Sequence, residues 1–205
     1  MPTAKKRTRT NNPADTRSRI LDAGAQLFHH KGYGDTSMHD IMNAAGVTSG
    51  ALHHHYRTKK DLGLAVIRER VARIVDEAWI APVAEAADPV AGVTNAFQGI
   101  IRGLGKDRIA GCPLNNLAVE LAYAEPDFRR ELQAIFQKWQ DTLSARIAES
   151  GTWDDGLSPA EIATFVIASY SGAMTLAKSG QSAAPLNIAL KLLTNRWPGK
   201  RTVPA

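Results

Sequence analysis

The chain has 205 residues, 44% of them hydrophobic, with one cysteine and a formal charge of +5. Such a composition suits a water-soluble core of one or two domains, and a lone Cys112 excludes an intrachain disulfide and points to a reducing compartment, the cytoplasm. The basic N-terminus lacks the apolar core of a secretory leader, and the most apolar stretch, 162–177, reads as too short and too rich in Thr, Ser and Gly to span a bilayer, so no membrane is expected.

The charge is concentrated at one end. Lys5, Lys6, Arg7, Arg9, Arg17 and Arg19 stand against Asp15 in residues 1–19, so this segment alone supplies the net excess. Residues 1–11 read as a flexible basic arm. Asn12, Pro13 and Asp15 then supply an N-cap, an N1 proline and an acidic N3 for a first helix. Ile20, Leu21, Gly24, Leu27 and Phe28 form its buried stripe and Gly32 ends it.

Ser37 and Asp40 make a capping box for a second helix, with Met38, Ile41, Met42 and Ala45 at helical spacing and Gly46 at its end. Thr48 caps a third, with Val47 and Leu52 placed to form a hydrophobic staple. Two short helices around a tight turn are a helix-turn-helix. On the third helix Leu52 and Tyr56 point inward, which leaves Gly50, Ala51, His53 and His54 outward. Small residues let a backbone approach base edges, the Ala51 methyl can touch a thymine methyl, and imidazoles can donate to bases or phosphates. Thr58 and Asp61 cap a fourth helix whose exposed amides, beside Lys59 and Lys60, suit a phosphate.

That fourth helix, from about Lys59 to Trp79, carries Leu62, Val66, Ile74, Val75 and Trp79. It is longer than a three-helix reading unit requires and is read as a connector, residues 59–82, with Pro82 and the following alanines as a break. The remainder, 83–198, reads as helix throughout, followed by a tail, 199–205. Asp88 and Pro89 open a helix with Val93 and Phe97; a short helix spans about Pro113 to Ala124. The clearest amphipathic run is Phe128, Leu132, Ile135, Phe136, Trp139, Leu143 and Ile147, closed by Gly151. Ser158, Pro159 and Glu161 start the next, which ends at Gly180, and a last helix carries Leu186, Ala189, Leu190 and Leu193.

Residues 16–67 resemble the DNA-binding domain of the TetR family of transcriptional regulators. The resemblance rests on ILDAGAQLF, the KGY turn, the T-S opening of the second helix and AAGVTSGALHHHYRTKKDL, with the spacing between them. It implies that Ser37, His39, Ser49, Gly50, Ala51, His53, His54, His55 and Lys59 face DNA, the later ones mostly at phosphates. Many relatives carry aromatic residues where this chain has His53 and His54, which makes operator binding sensitive to pH near neutrality. Arg7 and Arg9 of the arm join the DNA-binding set on their charge and position.

Two features bear on the C-terminal half. The Phe165–Leu176 stretch is apolar around most of its circumference but studded with small residues, which suits close packing on an identical helix. TetR-like regulators pair through their last two long helices, so the resemblance implies a homodimer interface of Phe165, Ala168, Ser169, Gly172, Leu186, Ala189 and Leu193. One short reading helix per chain also favours two half-sites. Polar residues interrupt the apolar helices, among them Asn115 and Thr175, and the resemblance implies a small-molecule effector held by Phe97, Cys112, Asn116, Glu120, Tyr123, Trp139, Tyr170 and Met174. Cys112 precedes Pro113 at a helix opening, where free amides with Lys106 and Arg108 nearby favour a thiolate. GCPLNN resembles the corresponding segment in relatives that respond to electrophiles, so an alternative switch is covalent modification or oxidation of Cys112.

Catalysis has little to rest on. His53, His54 and His55 are consecutive and diverge by about 100° on a helix, as do His29 and His30, so neither group converges on a metal. No HExxH, CxxC or phosphate-cradling glycine loop is present. The expected architecture is all-α, about nine helices: an N-terminal three-helix helix-turn-helix domain, residues 12–58, then a helical effector-binding and dimerisation domain. The expected function is a ligand-responsive repressor on a palindromic double-stranded operator, with no cofactor, no metal and no enzymatic activity.

Overall fold

The computed structural model describes residues 12–105, 108–150, 156–195 and 197. The expectations for Lys5, Lys6, Arg7, Arg9, Lys106 and Gly151 fall outside this set. Among the described residues there are nine helices and no strand. Helix α1 is Pro13–Lys31, α2 Met38–Ala45 and α3 Ser49–His55. Helix α4 begins at Lys59 and runs without a break to Glu85. Then come α5 (Pro89–Gly103), α6 (Pro113–Leu121), α7 (Pro126–Glu149), α8 (Pro159–Gly180) and α9 (Ala184–Asn195).

Local chemistry sets most of these ends. The Asn12 side chain accepts from the amide of Ala14, while Ser37 with Asp40, Thr58 with Asp61 and Ser158 with Glu161 form complete capping boxes. Gly46 ends α2 in the left-handed region at φ 60°, where a Cβ is costly. The first three helices close over Leu21, Phe28, Ile41, Leu52 and the start of α4, Leu62 and Val66. Gly24 permits that contact, because a Cβ there would stand 3.2 Å from Val66 Cγ2.

Helix α4 departs from expectation. It was expected to stop near Trp79 and break at Pro82, yet Pro82 lies inside it and the chain turns extended only at Ala86, before Asp88 caps α5. Two wider π turns, Ile67–Val71 and Asp76–Ile80, interrupt the α-helical ladder, the amides of Ala72 and Ala81 reaching back five residues to Ile67 and Asp76. A proline lacks the N–H of a regular turn and collides with the carbonyl four residues back. A widened turn just before Pro82 relieves that collision, so the helix continues.

The expectation that the apolar stretch is too short for a membrane is also revised. Helix α8 has 22 residues and a window of mean hydropathy 1.2, enough by length and composition to cross one. Its place in the fold is that of a helix packed along one side: Ile162, Ala163, Val166, Tyr170, Ala173, Met174 and Ala177 are buried against the rest of the chain.

Candidate DNA interface and buried aromatic core

Helix α3 turns Leu52 inward at 1% exposure, with Tyr56 beside it, and leaves the opposite side free. Ser37, His39, Ser49, Gly50, His53 and His54 are exposed, while Ala51 and His55 are half-buried. A Cβ at Gly50 would meet nothing within 4 Å, so the helix presents a low ridge there. His55 is partly covered, and burial, then His54 and Arg17, hold its imidazole below the ordinary value. Arg19 braces the turn by donating to the carbonyl of Ala45 at 3.0 Å, at the C-terminal end of α2.

Lys59, expected at a phosphate, already has protein partners. Its Nζ donates to the Gly34 carbonyl at 3.1 Å and lies 4.3 Å over the Tyr33 ring. Burial depresses its ammonium, with Glu120 opposing that shift. The side chain therefore ties the α1–α2 turn to the start of α4, beside the amides of the α4 N-terminus.

The second site is internal. Trp79 of α4, Phe97 of α5, Trp139 of α7 and Tyr170 of α8 form one aromatic cluster, with Trp79–Trp139 centroids at 4.7 Å and Trp79–Tyr170 at 4.9 Å. Phe97 meets both Trp79 and Tyr170 edge-on, and Met174 is buried on the same helix as Tyr170. Cys112 lies against the Tyr170 hydroxyl, and burial is the first cause pushing both groups upward. The cluster thus brings together Phe97, Cys112, Trp139, Tyr170 and Met174 of the expected effector set. Trp79 belongs with them; its large buried ring at helical spacing was legible as core but not as site. Of the buried donors here, Trp79 Nε1 is directed at the Tyr170 hydroxyl, while Trp139 Nε1 and Asn115 Nδ2 have no acceptor among the described residues.

Three members of the expected set sit elsewhere. Asn116 donates to the Ala110 carbonyl and accepts from Lys178, closing the loop before α6. Glu120 turns away and accepts from the amides of Tyr33, at 2.9 Å, and Gly34. Tyr123 is fully exposed. The expected thiolate at Cys112 is likewise revised. The amides of Leu114 and Asn115 pull the thiol down, but burial outweighs them and raises it above its ordinary value, so it stays protonated at neutral pH.

Residues 20–66 match the family described as bacterial regulatory proteins, tetR family, and residues 89–191 match the C-terminal domain of LmrA/YxaF-like transcriptional regulators. The chain is 31% identical over 176 residues to the HTH-type transcriptional repressor DhaR of Mycobacterium sp. (strain GP1), covering 83% of this chain and 86% of that protein. It belongs to the TetR family of transcriptional regulators. It is 25% identical to the HTH-type transcriptional regulator LmrA of Bacillus subtilis (strain 168), over 84% of this chain and 91% of the relative. A crystal structure of a TetR transcriptional regulator from Chloroflexus aurantiacus superposes with a TM-score of 0.78 at 26% identity, covering 89% of this chain and 94% of that one. The chain is a DNA-binding regulator, and its named relatives are regulators, not enzymes.

Helices α8 and α9 pack against each other. On α8 Phe165 is 62% and Leu176 63% exposed, with Ala168 and Gly172 exposed between them. On α9 the exposed apolar side chains are Ile188, at 59%, and Leu192, at 51%. These six residues form an apolar face. Ser169 and Ala189 are half-buried at its edge. Leu186 and Leu193, expected at the same face, are buried in the chain's own core.

Proposed function

We propose that this regulator is a repressor that binds a palindromic operator as a homodimer and is released by a small-molecule effector in the C-terminal domain. The observation that carries the reading is the position of Trp79. It is 2% exposed at the centre of the aromatic cluster, on the continuous helix whose first residue, Lys59, holds the reading domain. A molecule that enters the cluster displaces Trp79 and with it the separation of the two reading helices. With apolar walls, neutral Tyr170 and Cys112 and two donors lacking acceptors, the core suits an uncharged effector that carries a hydrogen-bond acceptor.

The homodimer reading is supported by the exposed face of Phe165, Ala168, Gly172, Leu176, Ile188 and Leu192, which a second copy would bury in an isologous contact. A coupling of about 1–3 kcal/mol between effector and operator is usual for such switches. The protein acts where the genome is, in the cytoplasm.

The test is to select duplexes from a random pool with the full-length protein. An inverted repeat with half-sites about one helical turn apart, or a multiple of that, is expected. Removal of Met1–Thr10 flattens the slope of log affinity against log salt, since up to four cations leave the DNA. Selection of no common sequence, or an unpaired half-site, refutes the reading.

A further inference from the structure

The reading domain is close to neutral. Residues 12–66 hold six cations, Arg17, Arg19, Lys31, Arg57, Lys59 and Lys60, against five aspartates, a net charge of +1 with the histidines neutral. Most of that positive charge is already engaged within the chain. Arg17 pairs with Glu69, Lys31 with Asp40 at 2.8 Å, and Lys60 with Glu125 at 2.9 Å and Asp127 at 2.8 Å. Arg19 stands 3.5 Å from Asp15 and donates to the carbonyl of Ala45, and Lys59 donates to that of Gly34 while lying over the Tyr33 ring. Arg57 differs from these five. It is exposed and makes no hydrogen bond, ion pair or ring contact among the described residues.

The backbone that carries Arg57 is nonetheless held on both sides. Tyr56, before it, is 6% exposed and lies under the Arg17 guanidinium, and Thr58, after it, closes the capping box of α4 with Asp61. Tyr56 leaves α3 in an extended conformation, φ −139° and ψ 110°, so the side chain that follows turns away from the core that Tyr56 enters. Helix α3 has seven residues and is about 10 Å long, shorter than the roughly 12 Å width of a major groove. A reading helix sets its first residues, here Ser49, Gly50 and Ala51, against base edges. The residues just past its other end then come out at the rim of the groove, where the phosphates stand. That end is also the negative pole of the helix dipole, which phosphate repels, and a cation two residues beyond His55 offsets the repulsion.

We propose that Arg57 is the phosphate anchor of the folded reading domain, a role for which Lys59 was the expected residue. An unengaged guanidinium meets a phosphate without first giving up a partner in the protein, and its planar fork takes two phosphate oxygens at once. Each of the other five cations must break or share a contact to do the same. The Arg57 contact carries no base information. It fixes how deeply α3 sits in the groove, and so whether Ser49, Gly50 and Ala51 reach the bases. The placement of α3 rests on the operator reading above, but the anchor needs neither the effector nor the dimer.

The test measures affinity of full-length variants over a series of salt concentrations, for the duplex the wild type selects and for a random duplex. Arg57→Ala makes the slope of log affinity against log salt shallower by about 0.9 for each protomer bound, and affinity at about 0.15 M salt falls by roughly 5-fold per protomer, equally on both duplexes. Arg57→Lys keeps the slope, whereas Arg57→Gln loses it as the alanine variant does. Lys31→Ala, whose ammonium is paired with Asp40, leaves the slope unchanged. Arg57→Ala melts as the wild type does, since its side chain holds nothing within the chain. An unchanged slope in Arg57→Ala, or a slope change that appears in Lys59→Ala and not in Arg57→Ala, overturns the anchor while the operator reading stands. A changed base preference in Arg57→Ala overturns it too, because a phosphate contact is blind to sequence. If the wild type selects no operator yet binds the random duplex with a slope that depends on Arg57, the operator reading fails and the anchor stands.

Discussion

Gly63→Ala puts a methyl group where α4, the α1–α2 turn and α7 meet. The new Cβ would stand 2.8 Å from Tyr33 Cε2 and 3.0 Å from Phe128 Cε1 and Cζ. Neither ring can step aside freely. Phe128 is fully buried, and Tyr33 meets Phe28 at a tilt and Phe128 edge-on, both with centroids at 5.1 Å, under the Lys59 ammonium. Alanine gains about 1 kcal/mol over glycine inside a helix. Overpacking of this kind costs about 1–3 kcal/mol, so the net is a loss of about 1 kcal/mol. For a chain of this size that lowers Tm by about 2–4 °C. Gly99→Ala on α5 is the control, since its Cβ would meet nothing within 4 Å and only the helical gain remains. It raises Tm by about 2 °C. Thermal melts at matched protein concentration compare the two. Operator affinity falls in Gly63→Ala, because a displaced Tyr33 carries Lys59 with it. A Gly63→Ala protein that melts at or above Gly99→Ala would refute the packing argument.

The dimer face predicts that Phe165→Glu or Leu176→Glu yields a folded monomer with collapsed operator affinity, whereas Leu186→Ala, at a fully buried position, destabilises the chain by about 2–5 kcal/mol; sedimentation and melting tell these apart. Cys112, buried and held as a thiol, reacts with an alkylating agent far more slowly than free cysteine, and operator binding survives brief exposure; rapid modification with loss of DNA would restore the covalent switch. His29 sits below its ordinary 6.5, first because of burial, so the folded chain prefers the neutral ring. Its contribution to stability is intact above that value and is lost as pH falls through it toward the lower folded value; denaturation midpoints at about pH 8 and 5.5 should differ less in His29→Gln than in wild type.

The reading domain was legible because its signals are local. Caps such as Ser37 with Asp40, and the stop at Gly46, act within four residues, so the sequence alone places α2 and α3. The rest depends on partners far along the chain. Glu120 was grouped with the effector residues because it is near them in sequence, yet its amide partners lie 87 and 86 residues away. Helix α9 has apolar residues on two faces, and periodicity cannot say which one the chain keeps for itself. Packing turns Leu186 and Leu193 inward and leaves Ile188 and Leu192 outside. Pro82 reads as a break because proline usually is one, and a π turn that absorbs it leaves no mark in the sequence.

The design of α4 bears on why a disturbance at Trp79 should act as a switch and not as a gradual bend. Its first π turn is fixed to α1, where Glu69 pairs with Arg17 and Arg70 Nε reaches Asp22 at 2.6 Å. Its second π turn is fixed to the C-terminal domain, by Trp79 in the aromatic cluster and by Asp76, which pairs with Lys138 at 2.7 Å. Only Ala72–Val75 lies between them. Exposed ion pairs contribute little each, but these stand on opposite sides of the short segment and resist its sliding. A π turn can relax only by exchanging a bond five residues back for one four residues back. That moves the following helix by one residue, about 1.5 Å along and 100° around its axis. Intermediate positions leave an amide without its helical partner, so the connector favours discrete settings. Strain introduced at Trp79 is therefore either held by the second turn or passed to Glu69 and Arg70 in one step, which is the behaviour a regulator needs if occupied and empty states are to bind DNA differently.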